Sequence, residues 1–431
     1  MIDNKRRMID LFQNLLITLL SVSAVLLFAR TQMYSLEDSF LDNLFDAPAA
    51  SAGSTMRPDQ MGTAPLSVPV RVAISGEGVY GRYGDLTLTT SDETFAPLST
   101  LLTEAMGSAY DLSASSGSEF LAALSRTSVY YDFLSTLPVS VLADLAEVPA
   151  SDNAISARYL VIAAGQNDTA QLLMWDGERT YLRFETAVSA VDLDAVVNRY
   201  ELGSAHFAFD YSELNESYAQ VEPCSLFLSE LPELPELNVS NSLSSTNYIL
   251  SLLGFNPYTN SRYTESNGTE VIVDSDHSLR ILPDGRIRYQ SGSESMVSIE
   301  AEDSIPTQQE AVSGVTALLN QLLSGASGSA SLYLLDVQQR EDNTTLSFGY
   351  QYNGIPIRFS DGTVAAQVQL SGRNVSSLAL KFRQYTAASE SSLLLPLQQT
   401  IAIAASQPGH ELFLGYTDNG SSLASAGWLL D

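Results

Sequence analysis

Alternating apolar and polar positions open the folded part of the chain. Val68 to Ser75 reads VPVRVAIS and residues 85–90 read DLTLTT, so apolar side chains recur at every second position in both runs. The glycine-containing stretch Gly76–Gly84 separates them, which predicts two strands joined by a turn. A phosphate-binding glycine string must open a helix, and here a second strand follows. We therefore expect no nucleotide site at this turn.

Helical spacing replaces the alternation over residues 92–149. A first helix is predicted by apolar residues three or four positions apart: Phe95, Leu98, Leu101, Leu102 and Met106. The same spacing predicts a second helix before Pro138, through Phe120, Leu121, Leu124, Tyr131 and Leu134. A third, short helix is expected to end at Val148-Pro149. Strands then return in residues 159–164, 171–175 and 180–184, and Asp176-Gly177 is a hairpin signal between the last two.

Prolines interrupt the pattern in the middle of the chain. Pro223, Pro232 and Pro235 fall within residues 222–237, where we therefore expect neither a regular helix nor a central strand. This stretch is interpreted as a junction between domains. Three α+β regions follow from it: residues 68–225, a central unit at 238–300 and a C-terminal domain at 301–431.

Helices and strands alternate again beyond the junction. Helices are predicted at residues 243–255, after Ile305-Pro306-Thr307, and at 396–405, the second with an apolar stripe of Val312, Val315, Leu318, Leu319 and Leu322. Strands are predicted at residues 270–273, 279–282, 286–290, 331–338, 344–352, 355–359, 364–370, 375–384, 412–416 and 428–430. The predicted fold class is α+β, with helices packed on one face of antiparallel sheets.

An uncharged run, Leu11 to Ala29, precedes all of these elements. Its nineteen residues would span roughly 28 Å as a helix, close to the roughly 30 Å hydrocarbon thickness of a bilayer. The basic cluster Lys5–Arg7 precedes the run, so the positive-inside rule places residues 1–10 in the cytoplasm. Residues 11–30 are thus predicted to be a single transmembrane anchor, residues 31–67 a linker, and the rest extracellular.

A cleaved signal peptide is the alternative reading of this N-terminus. The apolar part of a signal peptide is usually about 7 to 15 residues long and ends at a site of small residues. Here the run continues to Phe28 and is followed by Arg30-Thr-Gln-Met33. We therefore expect an anchor that stays attached in the cell membrane.

The charge distribution agrees with an outward-facing body. The first thirty residues carry a net charge of +2, so the rest must carry −31 to give the total of −29. Such a surface repels nucleic acid, and we expect no nucleic-acid partner. It either keeps the protein soluble or meets cations or a basic partner. The single cysteine, Cys224, excludes an internal disulfide framework.

The sequence contains few residues in patterns typical of a catalytic or metal-binding site. The three histidines, His206, His277 and His410, lie in different segments and form no metal-ligand spacing. Asp274-Ser-Asp276 lacks the glycine and the final glutamate of a calcium loop, and we interpret it as a solvated hairpin. We expect no catalytic residues, no cofactor and no metal. Seven aromatic residues fit either core packing or a sugar or peptide groove: Tyr130, Tyr131, Phe133, Tyr258, Tyr263, Tyr350 and Tyr352.

Several segments of the chain resemble the YycH and YycI family of regulators. Tyr350-Gln-Tyr-Asn-Gly-Ile-Pro-Ile357, the alternating residues 364–370, and Leu412-Phe-Leu-Gly-Tyr416 with the closing Trp428 are similar to the end of these proteins. Leu253-Gly-Phe-Asn-Pro257, followed by two predicted strands, is similar to an earlier unit of YycH. In one departure, Ala426-Gly427 stands before the last tryptophan where the family has a proline.

The resemblance implies a regulatory role without enzyme activity. Members of the family are single-pass membrane proteins that associate with an essential sensor histidine kinase of cell-wall metabolism in Gram-positive bacteria, together with a second accessory protein of the same family. Contacts within the membrane and outside it adjust the kinase. The alternative function is a tethered extracytoplasmic binding or assembly module of the cell envelope.

A polar face on the predicted anchor offers a route for contact within the membrane. Gln13, Asn14, Thr18 and Ser21 interrupt an otherwise leucine-rich run. Such side chains hydrogen-bond between helices in hydrocarbon for roughly 0.6 to 2 kcal/mol each. These four residues are therefore the predicted partner contact. For Gln13 and Asn14, near the cytoplasmic end, a position at the membrane interface is the alternative.

Overall fold

The first sheet contains the strands that the alternating runs predict. The computed structural model of the chain describes residues 66–78, 81–148, 155–241, 243, 245–258, 261–323 and 326–430. Within them, seven antiparallel strands pair in the order β2-β1-β4-β5-β6-β7-β3. They are β1 (Pro69–Ser75), β2 (Tyr83–Thr89), β3 (Tyr110–Ala114), β4 (Ser128–Pro138), β5 (Ser156–Ala164), β6 (Thr169–Trp175) and β7 (Tyr181–Ser189).

A two-stranded sheet and a much larger sheet follow along the chain. The small sheet pairs β8 (Ala205–Phe207) with β9 (Leu226–Leu228). The order of the large sheet, among the described residues, is β11-β12-β13-β14-β19-β18-β16-β17-β21-β22-β10-β20, with β15 added to β16. Its strands are β10 (Pro235–Ser240), β11 (Arg262–Thr264), β12 (Glu270–Asp274), β13 (His277–Ile281), β14 (Arg286–Gln290), β15 (Ser331–Arg340), β16 (Asn343–Tyr352), β17 (Ile355–Phe359), β18 (Ala366–Ser371), β19 (Asn374–Lys381), β20 (Gln384–Ser391), β21 (Leu412–Asp418) and β22 (Leu423–Leu430).

Local signals explain where the helices begin. Ser116 caps the second helix by accepting a hydrogen bond from the Glu119 amide. Thr307 and Glu310 form a reciprocal capping box before the longest described helix: each side chain accepts a hydrogen bond from the other residue's amide. The helices are α1 (Ala96–Gly107), α2 (Gly117–Leu124), α3 (Val139–Leu145), α4 (Ala190–Val197), α5 (Ala208–Tyr211), α6 (Thr246–Leu252), α7 (Gln308–Leu323) and α8 (Leu397–Ala404). The five residues of the predicted stripe on α7 are all buried.

Part of the large sheet closes into a ring. β15 pairs with β16, and the path continues through β17, β21, β22 and β10 to β20. Tyr385 of β20 then forms a parallel bridge with Gly328, just before β15. The Tyr385 carbonyl accepts a hydrogen bond of 2.8 Å from Ser329, and the Tyr385 amide donates one of 3.0 Å to Ser327. A Cβ on Gly328 would lie 2.3 Å from the Tyr385 carbonyl oxygen, so the close approach depends on glycine.

The prediction of a second helix running to Leu134 was wrong in its second half. Helix α2 ends at Leu124, and Tyr131 and Leu134 belong to β4. β4 lies between β1 and β5 and is buried along almost its whole length. A strand covered on both faces has a continuous apolar sequence, and such a run matches helical spacing by chance.

Two further predictions about strands need correction. Residues 222–237 do contain central strand: β10 begins at Pro235 and lies between β22 and β20. The proline is tolerated because it is the first residue of the strand. The strand predicted at 375–384 is instead two strands, and residues 382–383 carry the chain from the β14 side of the sheet to β10. In addition, β17 and β21 pair in parallel, which the predicted antiparallel meander did not include.

Buried side chains form one continuous hydrophobic cluster through both large sheets. It includes Val72 and Tyr131 of the first sheet, Leu318 of α7, and Leu346 and Tyr416 of the second. The predicted limits of the domains within residues 68–431 stay a prediction. The described residues contain no helix that is both long and apolar enough to span a bilayer. The predicted anchor lies outside the described residues.

Candidate functional site

Four charged side chains meet in the interior between the first sheet and β21. Arg71 on β1 lies opposite Asp132 on β4, and their closest charged atoms are 3.2 Å apart. Arg158 on β5 donates to the same carboxylate at 2.9 Å. Both guanidinium groups also bind the carboxylate of Glu411, which directly precedes β21. Two positive and two negative charges therefore neutralise each other, as buried charges require.

The backbone of β4 is shaped around this quartet. The pairing of β4 with β5 is interrupted between Asp132 and Leu137, and Leu134 has a φ of 59°. A left-handed conformation is costly for leucine. It allows the Leu134 amide to donate a 2.8 Å hydrogen bond to the Asp132 carboxylate. The irregularity thus supplies one of the partners that the buried carboxylate needs.

The quartet also sets the protonation states around it. Burial alone would lower the pKa of Arg71, but the nearby carboxylates of Glu411 and Asp132 outweigh it and raise that pKa. Burial would raise the pKa of Glu411, yet Arg158 and Arg71 hold it below its usual value. Arg71 and Glu411 are therefore both charged at neutral pH. The arrangement ties the first sheet to the start of β21.

Glu222 lies beside the quartet, and the charges of Glu411, Arg158 and Asp132 all act on its carboxyl group. Its carboxylate accepts a hydrogen bond of 2.6 Å from the Cys224 amide, and its own amide donates to the His410 carbonyl at 3.1 Å. Burial raises the pKa of Glu222 to about 7, and the neighbouring Glu411 adds to this. Burial also raises the pKa of the Cys224 thiol, which is consequently protonated and unreactive at neutral pH.

An open cleft of about 460 Å³ lies at the side of the small β8-β9 sheet. Its walls come from two segments far apart in sequence, residues 206–231 and residues 396–398. The lining residues are His206, Tyr211, Tyr218, Leu228, Ser229, Leu231, Pro396, Leu397 and Gln398. Beneath it is a separate small hydrophobic cluster that contains Tyr218 and Phe227 together with Ile401 of α8 and Leu412 of β21. This cluster positions the two walls against each other.

Three aromatic rings form one wall of the cleft. The rings of His206 and Tyr211 meet edge to face with 4.7 Å between centroids, and Tyr211 and Tyr218 are 5.5 Å apart. The Tyr218 hydroxyl accepts a 3.2 Å hydrogen bond from Gln398 and lies 3.4 Å from Nε2 of His206. Burial lowers the pKa of His206, against the opposing effect of Asp210, so this ring is neutral at pH 7. Tyr211 stays 43% exposed and faces solvent.

Arg82 anchors the short helix α5 that carries Tyr211. Its guanidinium binds both carboxylate oxygens of Asp210, at 2.9 and 2.6 Å. It also lies over the rings of Phe207 and Phe209. The Asp210 carboxylate accepts a further hydrogen bond from the Phe207 amide. The positive charge of Arg82 is therefore held in a bidentate ion pair with Asp210.

A second cleft, of about 510 Å³, lies beside the β6-β7 hairpin. One of its lining residues is Asp176, whose carboxylate accepts hydrogen bonds from the amides of residues 178, 179 and 180 of its own turn. This carboxylate stabilises the hairpin that Asp176-Gly177 predicted. The lining is mostly aliphatic and hydroxyl side chains, and it lacks aromatic rings. The aromatic cleft is the more distinctive of the two.

The structure locates only some of the residues singled out in the sequence. Gln13, Asn14, Thr18 and Ser21 lie outside the described residues. Four of the seven candidate aromatic residues, Tyr130, Tyr131, Phe133 and Tyr350, are core residues, whereas Tyr258 and Tyr263 are exposed. Asp276 accepts two hydrogen bonds from Ser293. Among the described residues, no group of three or more His, Cys, Asp or Glu side chains could hold a metal ion.

Sequence reasoning missed both the quartet and the aromatic cleft. The four members of the quartet come from separate segments, and no local pattern connects them. The cleft had one usable signal, the group His206, Tyr211 and Tyr218 within thirteen residues. Comparisons with protein-family models, with curated proteins and with solved structures give no match for this chain.

Proposed function

We propose that this chain is a membrane-anchored extracytoplasmic accessory protein that modulates a sensor histidine kinase controlling cell-wall metabolism. The observation that carries the proposal is the order of the N-terminus: Lys5–Arg7, then the uncharged run Leu11–Ala29, then a long body with a net charge of −31. That order is typical of a single-pass protein with its body outside. The resemblance of residues 350–357 and 412–416 to YycH and YycI regulators supports the proposed role in regulating a kinase.

The described body supports a role in binding other proteins. The four buried charges of Arg71, Asp132, Arg158 and Glu411 pair with one another inside the body. Its surface carries an open aromatic cleft in which Tyr211 is accessible. Exposed tyrosines beside a concave surface are common at protein interfaces. Contacts of this kind would supplement those made by the anchor.

Within the membrane, the polar face of the anchor is the proposed contact with the kinase. Thr18 and Ser21 lie nearest the middle of the uncharged run. If their hydroxyl groups bond to a partner helix, changing both to leucine replaces those bonds with contacts no better than those with lipid. The combined cost is about 1 to 3 kcal/mol, or roughly a five- to 150-fold loss of affinity.

The test compares two double variants in the organism's own membrane. Full-length Thr18→Leu/Ser21→Leu and the matched control Leu16→Ile/Leu20→Ile are crosslinked in intact cells, and the captured sensor histidine kinases are quantified by mass spectrometry. We expect the first variant to lose the kinase and the control to keep it. Equal capture of the kinase by both variants would contradict the proposed contact within the membrane. If the wild-type protein captures no kinase, the proposed function is rejected.

The aromatic cleft favours a second candidate function. A tethered module that binds a component of the cell envelope would use the cleft and need the anchor only as an attachment. Replacing residues 11–29 with an unrelated polyleucine span separates the two candidates. A kinase regulator should lose its function in that variant, whereas a tethered binding module should retain it.

A further inference from the structure

The two segments that form the aromatic cleft contain no lysine or arginine. Residues 200–261 include eight carboxylates and no basic residue except His206: Glu201, Asp210, Glu213, Glu216, Glu222, Glu230, Glu233 and Glu236. Residues 384–431 likewise contain no lysine or arginine. Arg82, from another part of the chain, has its charge held by Asp210. The segments that form the walls of the cleft therefore contain carboxylates but no lysine or arginine.

Several of these carboxylates are exposed close to the lining residues in sequence. Glu213 and Glu216 lie between Tyr211 and Tyr218, and Glu230 lies between Ser229 and Leu231; all three are solvent-exposed. A concave surface with one sign of charge focuses its field and attracts ligands of the opposite sign. The occupant that this cleft favours is therefore cationic.

The aromatic wall of the cleft indicates which kind of cationic group it binds. Tyr211 is accessible and is held at a fixed angle by the rings of His206 and Tyr218. Tyrosine faces bind guanidinium groups by stacking and by cation–π attraction, and arginine does this more often than lysine. Apolar side chains of Leu231, Pro396 and Leu397 complete the lining. They suit the aliphatic side chains of a peptide.

The backbone beside the cleft favours an extended peptide. β9 ends at Leu228, which lines the cleft. Within the described residues, β9 pairs with a single strand, β8. Leu226 and Phe227 are buried, so an added chain can pair by β-augmentation only at the end of the strand, where half-buried Leu228 leads into exposed Ser229 and Glu230. A free small cation would use none of these backbone groups.

We infer that the aromatic cleft binds an extended, arginine-containing segment of the extracytoplasmic part of the partner protein. This inference rests on the proposed function for the identity of the partner, but the cleft can be tested without the kinase. Tyr211 supplies the face on which the guanidinium stacks. The exposed carboxylates around it raise the rate of association, and the effect weakens with salt.

The test uses the purified full-length chain in nonionic maltoside micelles. The probe is a fluorescent ten-residue peptide of alternating arginine and valine, and its binding is measured by fluorescence polarisation. Matched peptides carry glutamine or glutamate in place of arginine. We expect the arginine peptide to bind more tightly than both, with an affinity that falls as salt is raised. Tyr211→Ala should weaken it about fivefold, and Tyr211→Phe should restore binding because the ring is kept.

Tyr263→Ala is the matched control. Tyr263 is also an exposed tyrosine, at 54%, but it lies on β11 and not in the cleft. This variant should bind the peptide like the wild type. Equal affinities of the Tyr211→Ala and Tyr263→Ala proteins would overturn the inference, since binding would then depend on overall charge. Displacement of the peptide by tetramethylammonium as effectively as by unlabelled peptide would also overturn it, in favour of a small-cation site.

The outcomes separate this inference from the proposed function. If the wild-type protein captures the kinase in cells but Tyr211→Ala binds the peptide normally, the inference fails and the proposed function stands. If the peptide test succeeds and no kinase is captured, the cleft remains a peptide site and the proposed function fails.

Discussion

Arg71 and Glu411 are separated by 340 positions in the sequence, yet the guanidinium of one binds the carboxylate of the other in the protein interior. Arg71 is 5% exposed and Glu411 is 7% exposed. The pair joins the beginning of the described chain to its last hairpin. It explains how the first sheet is held against β21 across the intervening strands.

Replacing Glu411 with glutamine should destabilise the protein strongly. The two guanidinium groups of Arg71 and Arg158 would then share the single carboxylate of Asp132, leaving an uncompensated buried charge. Breaking a buried pair in this way costs about 3 to 5 kcal/mol. Urea unfolding of the full-length protein, followed by tryptophan fluorescence, measures the change. The control is Glu270→Gln, which removes the partner of the exposed Arg262 and should cost less than about 1 kcal/mol. Equal costs would show that the quartet contributes no more than a surface pair.

Stability should depend on pH through Glu222. Its pKa is raised from 4.5 to about 7 in the folded protein, so between these values the folded state binds more protons than the unfolded state. The free energy of unfolding therefore falls as pH rises through this window. Glu222→Gln removes this pH dependence while keeping an oxygen that can accept the hydrogen bond from the Cys224 amide.

We expect the Glu222→Gln variant to match the wild type below pH 4.5 and to exceed it in free energy of unfolding by about 3 kcal/mol above pH 7. Urea unfolding at a series of pH values measures the difference, and the exposed Glu230→Gln is the control. Glu411 changes the stability with pH in the opposite direction, because its pKa is lowered in the folded protein. The stabilisation that its carboxylate contributes is present above about pH 4.5 and is lost as pH falls. Parallel curves for wild type and Glu222→Gln would contradict the raised pKa.

Closure of the strand ring should depend on Gly328. An alanine there would meet the Tyr385 carbonyl oxygen at 2.3 Å and also carries the strain of a φ of 69°. Gly362 is a matched control, since it has a φ of 73° and no atom within 4 Å of an added Cβ. Gly362→Ala should cost about 1 to 2 kcal/mol from the left-handed conformation alone. Gly328→Ala should cost more than this in the same thermal or urea unfolding experiment. Similar costs would mean that the bridge can shift without penalty.

The orientation of the chain can be tested with protease on intact, wall-less cells. The positive charges before Leu11 and the acidic body after Ala29 lead us to expect that residues 68–431 are degraded and a short membrane stub remains. An epitope tag at Met1 should be protected until the cells are permeabilised. Survival of the body in intact cells would show that the orientation is reversed.

The sequence by itself determined elements whose signals are local. The alternating runs at Val68–Ser75 and residues 85–90 became β1 and β2, and the apolar stripe of α7 became its buried face. Asp176-Gly177 became the turn of the hairpin between β6 and β7. These features follow from periodicity and backbone preference within a few residues, so they need no knowledge of the rest of the molecule.

Only the tertiary structure decided the features that depend on distant neighbours. Tyr131 and Leu134 had helical spacing, but burial between β1 and β5 made their segment a strand. Pro235 predicted an interruption and instead opens β10 between two other strands. The parallel pairing of β17 with β21, the closure at Gly328 and the meeting of Arg71 with Glu411 join residues far apart in sequence. Their energies come from burial and from charge pairing, which depend on which surfaces meet after folding, and no local pattern encodes that choice.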